Sequence, residues 1–213
     1  MDSTPHTVRG SGAHEIEVRR SRFIGAVAPV RDAAAARAFV EGRRAAHPSA
    51  RHHCFAYVLG GGADRAEKAS DDGEPSGTGG APILEVLKKR EITDAVAVVT
   101  RYFGGVLLGA GGLIRAYGQA AARAVDTAGV VALTPVAIVT VTVGYAHAGR
   151  LESVLRESRT IRDVRYGTDG TVALDLAVPE SQIAALRSQL ADQTSGAATM
   201  ELLTTEYLPQ RNG

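Results

Sequence analysis

The sequence predicts an α+β protein with two domains, and its C-terminal third gives the clearest indication. Four segments there are β-branched or alternate in polarity, as strands do: 136–143, 160–166, 171–178 and 199–208. Two further segments carry apolar residues at helical spacing, 147–159 and 179–190. The resulting order, β-α-β-β-α-β, is that of a ferredoxin-like domain. That fold hosts many functions, so it indicates no particular activity.

Upstream, strands alternate with helices around one long irregular segment. The predicted strands are 15–18, 23–29, 51–60 and 94–102. The predicted helices run from the N-cap Asp32 through Arg44, from Pro82 through Lys89, and from Leu113 through Thr127. The irregular segment begins at Gly60-Gly-Gly62. The predicted domains are 1–131 and 132–213.

Composition restricts the classes of protein that the chain can belong to. Hydrophobic residues make up 45% and charged residues 22% of the 213, which is ordinary for a globular protein. No run approaches the roughly 20 apolar residues of a membrane span, and Met1–Arg20 lacks the apolar region of a secretory signal. The single cysteine, Cys54, has no partner for an internal disulfide. We therefore expect a cytoplasmic protein without membrane contact.

The charge balance argues against a dedicated DNA-binding protein. Residues 1–131 carry 17 Lys and Arg against 14 Asp and Glu, and residues 132–213 carry 7 against 9. Strong nucleic-acid binders are usually far more basic. Any contact with nucleic acid must therefore come from a local patch.

The first segment that could bind a ligand or carry out chemistry is Ser70–Gly80, with the sequence Ser-Asp-Asp-Gly-Glu-Pro-Ser-Gly-Thr-Gly-Gly. Two interpretations remain open. It is either a surface loop whose polar side chains cap turns, or a rigid loop that faces a ligand. An EF-hand site is excluded because Asp71, Asp72 and Glu74 lack the alternating ligand spacing of that motif.

The second segment, Arg101–Arg115, is predicted to be a strand, a glycine loop and the start of a helix. Backbone amides at a helix N-terminus attract anions, and Arg101 and Arg115 add positive charge. The segment is not a Walker A motif, because Ala110 stands where lysine is required. It is not a Rossmann fingerprint either, because that motif requires a small residue at the position of Ile114. The alternative is that the glycines only permit close packing of strand and helix.

The third segment is the strand Arg51–Tyr57. Strand alternation places His52 and Cys54 on one face and His53, Phe55 and Tyr57 on the other. A metal site is disfavoured, because no second pair of ligands appears at a suitable spacing. A Cys–His nucleophile is disfavoured, because a spacing of two residues on a strand is no evidence for one. We interpret Cys54 as a small buried residue and the histidines as lining an edge or groove.

Together the segments resemble the YigZ/IMPACT family. The matching motifs are Ser21-Arg-Phe-Ile24, His52–Tyr57, Ser70–Thr78 with Pro82-Ile-Leu84, Val99–Gly105 and Leu108–Tyr117. The resemblance spans residues 20 to 130. It implies an N-terminal domain with the left-handed βαβ fold of elongation factor G domain IV and a C-terminal domain like domain V of that factor. It also implies a link to translation, since eukaryotic relatives occupy a ribosome-associated activator of a stress kinase.

The main functional hypothesis is a non-catalytic regulator that binds RNA, the ribosome or a translation-associated protein. Loop amides and arginines would hold phosphates, and Tyr102 or Tyr117, taken as exposed, would stack on a base. No catalytic residue, cofactor or metal ligand is predicted, and the oligomeric state is left open. The predicted ligand-binding residues are Arg22, His53, Asp71, Asp72, Glu74, Ser76, Thr78, Arg101, Tyr102, Gly104, Gly105, Gly111, Gly112, Arg115 and Tyr117.

Two alternatives stay open. One is a phosphate- or nucleotide-handling enzyme that uses Asp71, Asp72 and Glu74 to bind Mg²⁺ or as a base. The other is a module that binds only proteins.

Overall fold

A computed structural model describes residues 5–60 and 65–209. The strands formed by these residues are β1 (His6–Val8), β2 (Gly12–Val18), β3 (Ser21–Pro29), β4 (His52–Leu59), β5 (Ala66–Ser70), β6 (Ala95–Tyr102), β7 (Val130–Gly144), β8 (Thr160–Tyr166), β9 (Thr171–Pro179) and β10 (Thr199–Pro209). The helices are α1 (Ala33–Ala46), α2 (Gly80–Lys89), α3 (Ala110–Ala128), α4 (Tyr145–Ser158) and α5 (Ile183–Thr194). One 3-10 turn, Glu180–Gln182, precedes α5. The chain divides into an N-terminal unit that ends at Leu133 and a C-terminal unit, Thr134–Leu208.

The N-terminal unit is built on an antiparallel sheet in the order β2-β3-β6-β4-β5. One face packs on α2 and α3, and the other packs on α1. Alternation along β4 shows the division: Cys54 lies in the core under α2 and α3, whereas Phe55 and Tyr57 pack on the α1 side. The predicted sidedness of β4 and the burial of Cys54 are confirmed.

Several predicted element boundaries in this unit need correction. Asp32 does cap α1, since its Oδ1 accepts from the Ala35 amide at 2.7 Å. However, α2 begins at Gly80 rather than at Pro82, and α3 begins at Ala110 rather than at Leu113. Both helices start within glycine-rich sequence, which local propensity disfavours but tertiary packing tolerates. Pro82 fits in the first turn, where its missing N–H has no helical partner.

Two strands were missed by the sequence prediction. β1 has only three residues and pairs with the first residues of β7. β5 lies in the segment predicted to be irregular, and it forms the outer edge of the sheet with its side chains largely exposed. A short edge strand without apolar alternation has no periodic signal to detect. The irregular segment was predicted to begin at Gly60, which directly follows β4 at a φ of 65°, whereas Gly61 and Gly62 lie outside the described residues.

The C-terminal unit is a four-stranded sheet with α4 and α5 on one face. β9 lies between β7 and β8, and β10 pairs with the other side of β7. Numbered within the unit, the order is 4-1-3-2, which is the ferredoxin-like arrangement. Alternate residues of β9, from Val172 to Val178, pack under the helices. The predicted α+β class is confirmed, while the left-handed βαβ connection and the likeness to elongation factor domains remain predictions.

Among residues 5–60 and 65–209, no helix combines the length and the apolar character that a membrane span requires.

Close packing of α3 on the sheet depends on glycine at position 25 in β3. A Cβ atom added at Gly25 would lie 2.2 Å from the carbonyl oxygen of Ala120 in α3. That distance is shorter than any side chain can tolerate, so α3 would have to move away from the sheet.

We therefore expect Gly25→Ala to lower the free energy of unfolding by about 1–3 kcal/mol or more, because it overpacks a rigid interface. Urea denaturation followed by circular dichroism measures this change. Gly42→Ala in α1 is the matched control, because a Cβ there meets no atom within 4 Å, and we expect it to be neutral or slightly stabilising. Equal effects of the two substitutions would contradict the close-packing account.

Candidate functional site

The two glycine-rich segments meet at a groove of about 310 Å³ in the N-terminal unit. Glu74 and Pro75 come from the first segment, and Arg51 and His52 come from the chain at the start of β4. The second segment contributes the remaining lining residues, which are Arg101, Phe103, Leu107, Leu108, Gly109, Ala110 and Leu113. Segments predicted to be functional on separate grounds therefore border one concavity.

A buried polar cluster lies beneath this groove. One oxygen of Glu74, Oε1, accepts from Arg101 Nη1 and from the Tyr117 hydroxyl, each at 2.7 Å. The side chains of Glu74 and Arg101 are 4% and 7% exposed, and Tyr117 is fully buried. Burial holds the pKa of Tyr117 well above its usual range, so the hydroxyl remains a donor. The cluster joins the first glycine segment to β6 and α3.

Aromatic rings and a serine complete the surroundings of Arg101. Its guanidinium lies 5.4 Å from the centroid of the Phe23 ring and 5.5 Å from that of Phe103. Ser21 Oγ accepts from Arg101 Nη2 at 3.5 Å and from the Gly104 amide at 3.1 Å. A Cβ at Gly104 would lie 1.9 Å from the carbonyl oxygen of Arg20, so this loop follows β3 in a way that only glycine permits.

Ser21 and Phe23 are site residues that the sequence prediction missed. Both belong to the motif Ser21–Ile24, from which only Arg22 was selected as a ligand-binding residue. Strand alternation was the available signal, because Ser21 and Phe23 share the face that packs toward α3 whereas Arg22 points to the other side.

The predicted exposure of Tyr117 is wrong. Tyr117 follows Leu113 by one helical turn, on the side of α3 that faces the core, and its ring packs edge-on against Phe23 at 5.2 Å. Arg101 likewise lies in the interior, with its charge opposite Glu74. Neither residue presents an open surface to RNA, and their role is to position the groove.

Asp71 organises the first glycine segment. Its Oδ1 accepts from the amides of Gly79 and Gly80 at 2.9 and 2.8 Å, and its Oδ2 accepts from the Gly77 amide at 2.8 Å. Burial opposes ionisation, but these three amide hydrogen bonds hold the pKa of Asp71 below its usual value. The ionised carboxylate therefore fixes the loop and satisfies the first amides of α2.

The other polar side chains of this segment are also mostly engaged. Asp72 accepts from Arg44 Nη2 and from the His53 amide, both at 2.6 Å. Thr78 Oγ1 is buried and donates to the Pro75 carbonyl at 2.7 Å, whereas Ser76 is exposed. The structure therefore favours a rigid loop over a surface loop whose polar side chains only cap turns. The hydrogen bonds that make the loop rigid are nevertheless of the capping kind.

Cys54 lies beneath the first segment. Its Sγ donates to the Asp71 carbonyl at 2.9 Å, and burial raises the pKa of the thiol to about 12. A thiol in this state is not a nucleophile at neutral pH. Within the part of the chain that the structure describes, no group of three or more His, Cys, Asp or Glu side chains is placed to hold a metal ion.

Arg22, His53 and Tyr102 lie on the opposite face of the sheet, near α1, and do not border the groove. Arg22 pairs with Glu15 at 2.7 and 2.9 Å and lies 5.2 Å from the centroid of the Tyr102 ring. Tyr102 shares a 3.0 Å hydrogen bond with His47. His53 is 5% exposed, its Nδ1 lies 3.1 Å from Thr100 Oγ1, and burial lowers its pKa. The structure therefore separates these three residues from the groove.

Gly111 and Gly112 belong to the first turn of α3 rather than to a loop. Gly109 precedes them as an N-cap without a side chain, so no side-chain oxygen satisfies the amides that open the helix. Gly105 is exposed in the loop before it, at a φ of 83°. The predicted strand–glycine loop–helix order is correct, and the exposed helix N-terminus lies at the edge of the groove.

A second, smaller groove of about 200 Å³ lies beside the first, and Leu108 borders both. Arg19 and Arg115 line it. Together with Arg51 they are exposed, and among the described residues no ion pair links any of the three to a carboxylate. Three apolar side chains of the second segment also have large exposed fractions, namely Phe103 at 53%, Val106 at 36% and Leu107 at 82%. We call these six residues the groove face.

The fold and the groove define a class of two-unit α+β proteins whose site is built from paired glycine-rich segments. The family model for the Impact N-terminal domain matches residues 19–125, and that for a domain of unknown function (DUF1949) matches residues 141–197. The chain belongs to the IMPACT family.

Relatives match over nearly the whole chain. It is 40% identical to the IMPACT family member YvyE of Bacillus subtilis, over 95% of this chain and 92% of that protein. It is 38% identical to the IMPACT family member YigZ of Escherichia coli, over 89% of this chain and 92% of that one. A crystal structure of a hypothetical protein superposes with a TM-score of 0.79 at 34% identity, covering 96% of this chain and 99% of that structure. The predicted family resemblance is confirmed.

The buried cluster yields a test by double-mutant cycle. We expect Glu74→Ala to lower the free energy of unfolding by about 3–5 kcal/mol, because it leaves Arg101 buried without its counter-charge. Tyr117→Phe should cost about 1.5–3 kcal/mol, since it removes a hydrogen bond to a charged group. In the double variant the two costs should fall short of additivity by at least about 0.5 kcal/mol. Strict additivity in urea denaturation would show that the two side chains do not interact.

Proposed function

We propose that this protein is a non-catalytic, translation-associated binding protein that contacts RNA through the groove face. The observation that carries the proposal is an exposed Phe103 ring at the larger of two adjoining grooves that are lined by three exposed arginines, none of which has an ion-pair partner in the described part of the chain. Guanidinium groups bind phosphates, and an exposed aromatic ring stacks on unpaired bases. The connection to translation comes from the family, in which eukaryotic relatives act on a ribosome-associated activator.

The electrostatics of the groove face support an anionic partner. Arg19, Arg51 and Arg115 are exposed, while the one carboxylate that borders the groove, Glu74, is already neutralised by Arg101. The local charge is therefore positive, although the whole chain carries only +1. A patch of this kind attracts polyanions at low salt and loses that attraction as salt rises.

An enzyme that uses Asp71, Asp72 and Glu74 is a weaker candidate. Each of these carboxylates already accepts hydrogen bonds. Asp71 accepts from three backbone amides, Asp72 accepts from Arg44 and from an amide of β4, and Glu74 accepts from Arg101 and Tyr117. A carboxylate that binds Mg²⁺ or acts as a base would have to give up these hydrogen bonds. Because each of them fixes the fold around the groove, the structure favours a binding role.

A protein-binding module is the second candidate, and the exposure of Leu107 favours it. An 82% exposed leucine beside Val106 and Phe103 forms an apolar surface of the kind that marks protein interfaces. The positive rim would then select an acidic partner. The test below separates this possibility from RNA binding.

The test is fluorescence anisotropy of a labelled single-stranded RNA of about 12 nucleotides, titrated with the full chain at several salt concentrations. We expect Arg51→Gln combined with Arg115→Gln to weaken binding by at least about tenfold, because each guanidinium contributes a charge-assisted hydrogen bond. The slope of log K against log salt should become shallower by roughly 1 to 2.

The matched control combines Arg37→Gln with Arg123→Gln. These arginines are exposed, as Arg51 and Arg115 are, they lie in α1 and α3 of the same unit, and they form no ion pair within the described residues. Removing them changes the net charge equally but leaves the groove face intact. RNA binding that is absent, insensitive to salt, or weakened equally by both pairs would refute the proposal. Capture of an acidic protein by the chain from an RNase-treated lysate would then favour the second candidate.

A further inference from the structure

The larger groove has the features of a site for one nucleotide. Its volume of about 310 Å³ is at the small end of the roughly 300–1,000 Å³ typical of ligand pockets. Its lining combines apolar side chains, namely Phe103, Leu107 and Leu113, with the exposed guanidinium of Arg51 and the start of α3. A nucleotide likewise combines a flat base with an anionic phosphate.

The phosphate end is indicated first by the start of α3. This helix has 19 residues, and Gly109, its N-cap, offers no side-chain acceptor to the amides of Ala110 and Gly111. Glycine and alanine leave those amides sterically accessible, and the helix dipole favours an anion there. Arg51, exposed at the same groove, supplies a full positive charge.

A second observation, independent of the helix, is the unsatisfied donor on Arg101. The side chain is 93% removed from solvent, as its 7% exposure shows, and it borders the groove. Its Nη1 donates to Glu74 and its Nη2 to Ser21, but its Nε is buried without any hydrogen-bond partner in the described structure. Buried guanidinium donors are normally satisfied, so this unsatisfied donor is an exception on a residue that lines the groove.

The base end is defined by Phe103. Its ring is 53% exposed at the groove, and the guanidinium of Arg101 lies 5.5 Å from its centroid. Leu107, which is 82% exposed, lines the same groove. Bases inside a duplex cannot enter such a groove because both of their faces are stacked.

We propose that this groove binds a single unstacked nucleotide of single-stranded RNA, with its phosphate at the N-terminal amides of α3 beside Arg51 and its base on Phe103. The inference rests on the proposed function, since the nucleotide would be part of the RNA that the groove face contacts. It adds a specific requirement for an unpaired base.

The test is a ¹H–¹⁵N correlation spectrum of the full chain titrated with adenosine 5′-monophosphate, adenosine or inorganic phosphate. We expect saturable shifts at Phe103, Ala110 and Gly111 with the monophosphate, and affinities at least about threefold weaker with either fragment, because each fragment loses one half of the contacts. In the anisotropy assay, a single-stranded RNA should bind at least about tenfold more tightly than a duplex of the same length.

Two substitutions probe the two ends of the site. Ala110→Pro removes one amide at the first helical position, where proline is well tolerated, and Phe103→Leu removes the ring but keeps an apolar side chain. Each should weaken binding of the monophosphate by at least about threefold. Ile114→Ala is the control, because Ile114 is exposed on α3 and borders neither groove. It should leave the affinity unchanged.

The results separate the inference from the proposed function. If RNA binds through the arginines but the monophosphate causes no shifts at the groove, or duplex binds as well as single strand, the nucleotide site is refuted while the proposed function stands. If RNA does not bind at all, both are refuted. The inference is also overturned if inorganic phosphate causes the same shifts as the monophosphate and binds with equal affinity, because the base then contributes nothing to binding.

Discussion

The ion pair between Glu74 and Arg101 is the interaction on which the geometry of the groove depends. Both side chains are almost fully removed from water, where an unpaired charge is very costly. Each therefore requires the other, and Tyr117 supplies the additional hydrogen bond that a buried carboxylate needs. Because Glu74 belongs to one glycine-rich segment and Arg101 leads into the other, the pair fixes the position of both.

The glycines around this pair serve packing more than ligand binding. Gly104 allows its loop to approach the backbone at Arg20, and Gly25 allows α3 to approach the sheet. Asp71 then holds the first segment through three amides. With these interior contacts satisfied, the surface above them carries an exposed aromatic ring, the start of α3 and arginines that form no ion pair with any described residue. Binding is thus assigned to residues beside the motifs, and the motifs form the support.

Much of the fold was predictable because it follows periodic signals. The ferredoxin-like unit alternates cleanly along β9, and β6 is a continuous apolar run between two buried faces. The edge strand β5 and the short β1 carry no such period, so they were missed. The starts of α2 and α3 were placed too late because glycine and proline indicate loops, whereas tertiary packing extends both helices into the glycine-rich sequence and Asp71 caps the start of α2.

The candidate site was predictable in location but less so in its roles. Sequence motifs indicated the two glycine-rich segments correctly, yet they could not distinguish a buried charge from an exposed one. Arg101 and Tyr117 were interpreted as ligand contacts, because a charged or hydroxyl-bearing residue near glycines is usually accessible. Only the pairing of Arg101 with Glu74, across 27 positions of sequence, reveals that both are interior. Arg22, His53 and Tyr102 were predicted to bind the same ligand as the other residues. Strand alternation had placed His53 opposite Cys54 but was not extended to Arg22 and Tyr102, and the structure places all three across the sheet from the groove.

The most direct test of this account is hydrogen exchange measured by mass spectrometry on Glu74→Gln in the full chain. This substitution keeps the volume and an acceptor for Tyr117 but removes the charge that Arg101 requires. We predict that amide protection falls by at least about tenfold in residues 70–80 and 101–113 together, while the C-terminal unit, Thr134–Leu208, is unchanged. Loss of protection confined to residues 70–80, with 101–113 as protected as before, would contradict the claim that the pair holds both segments.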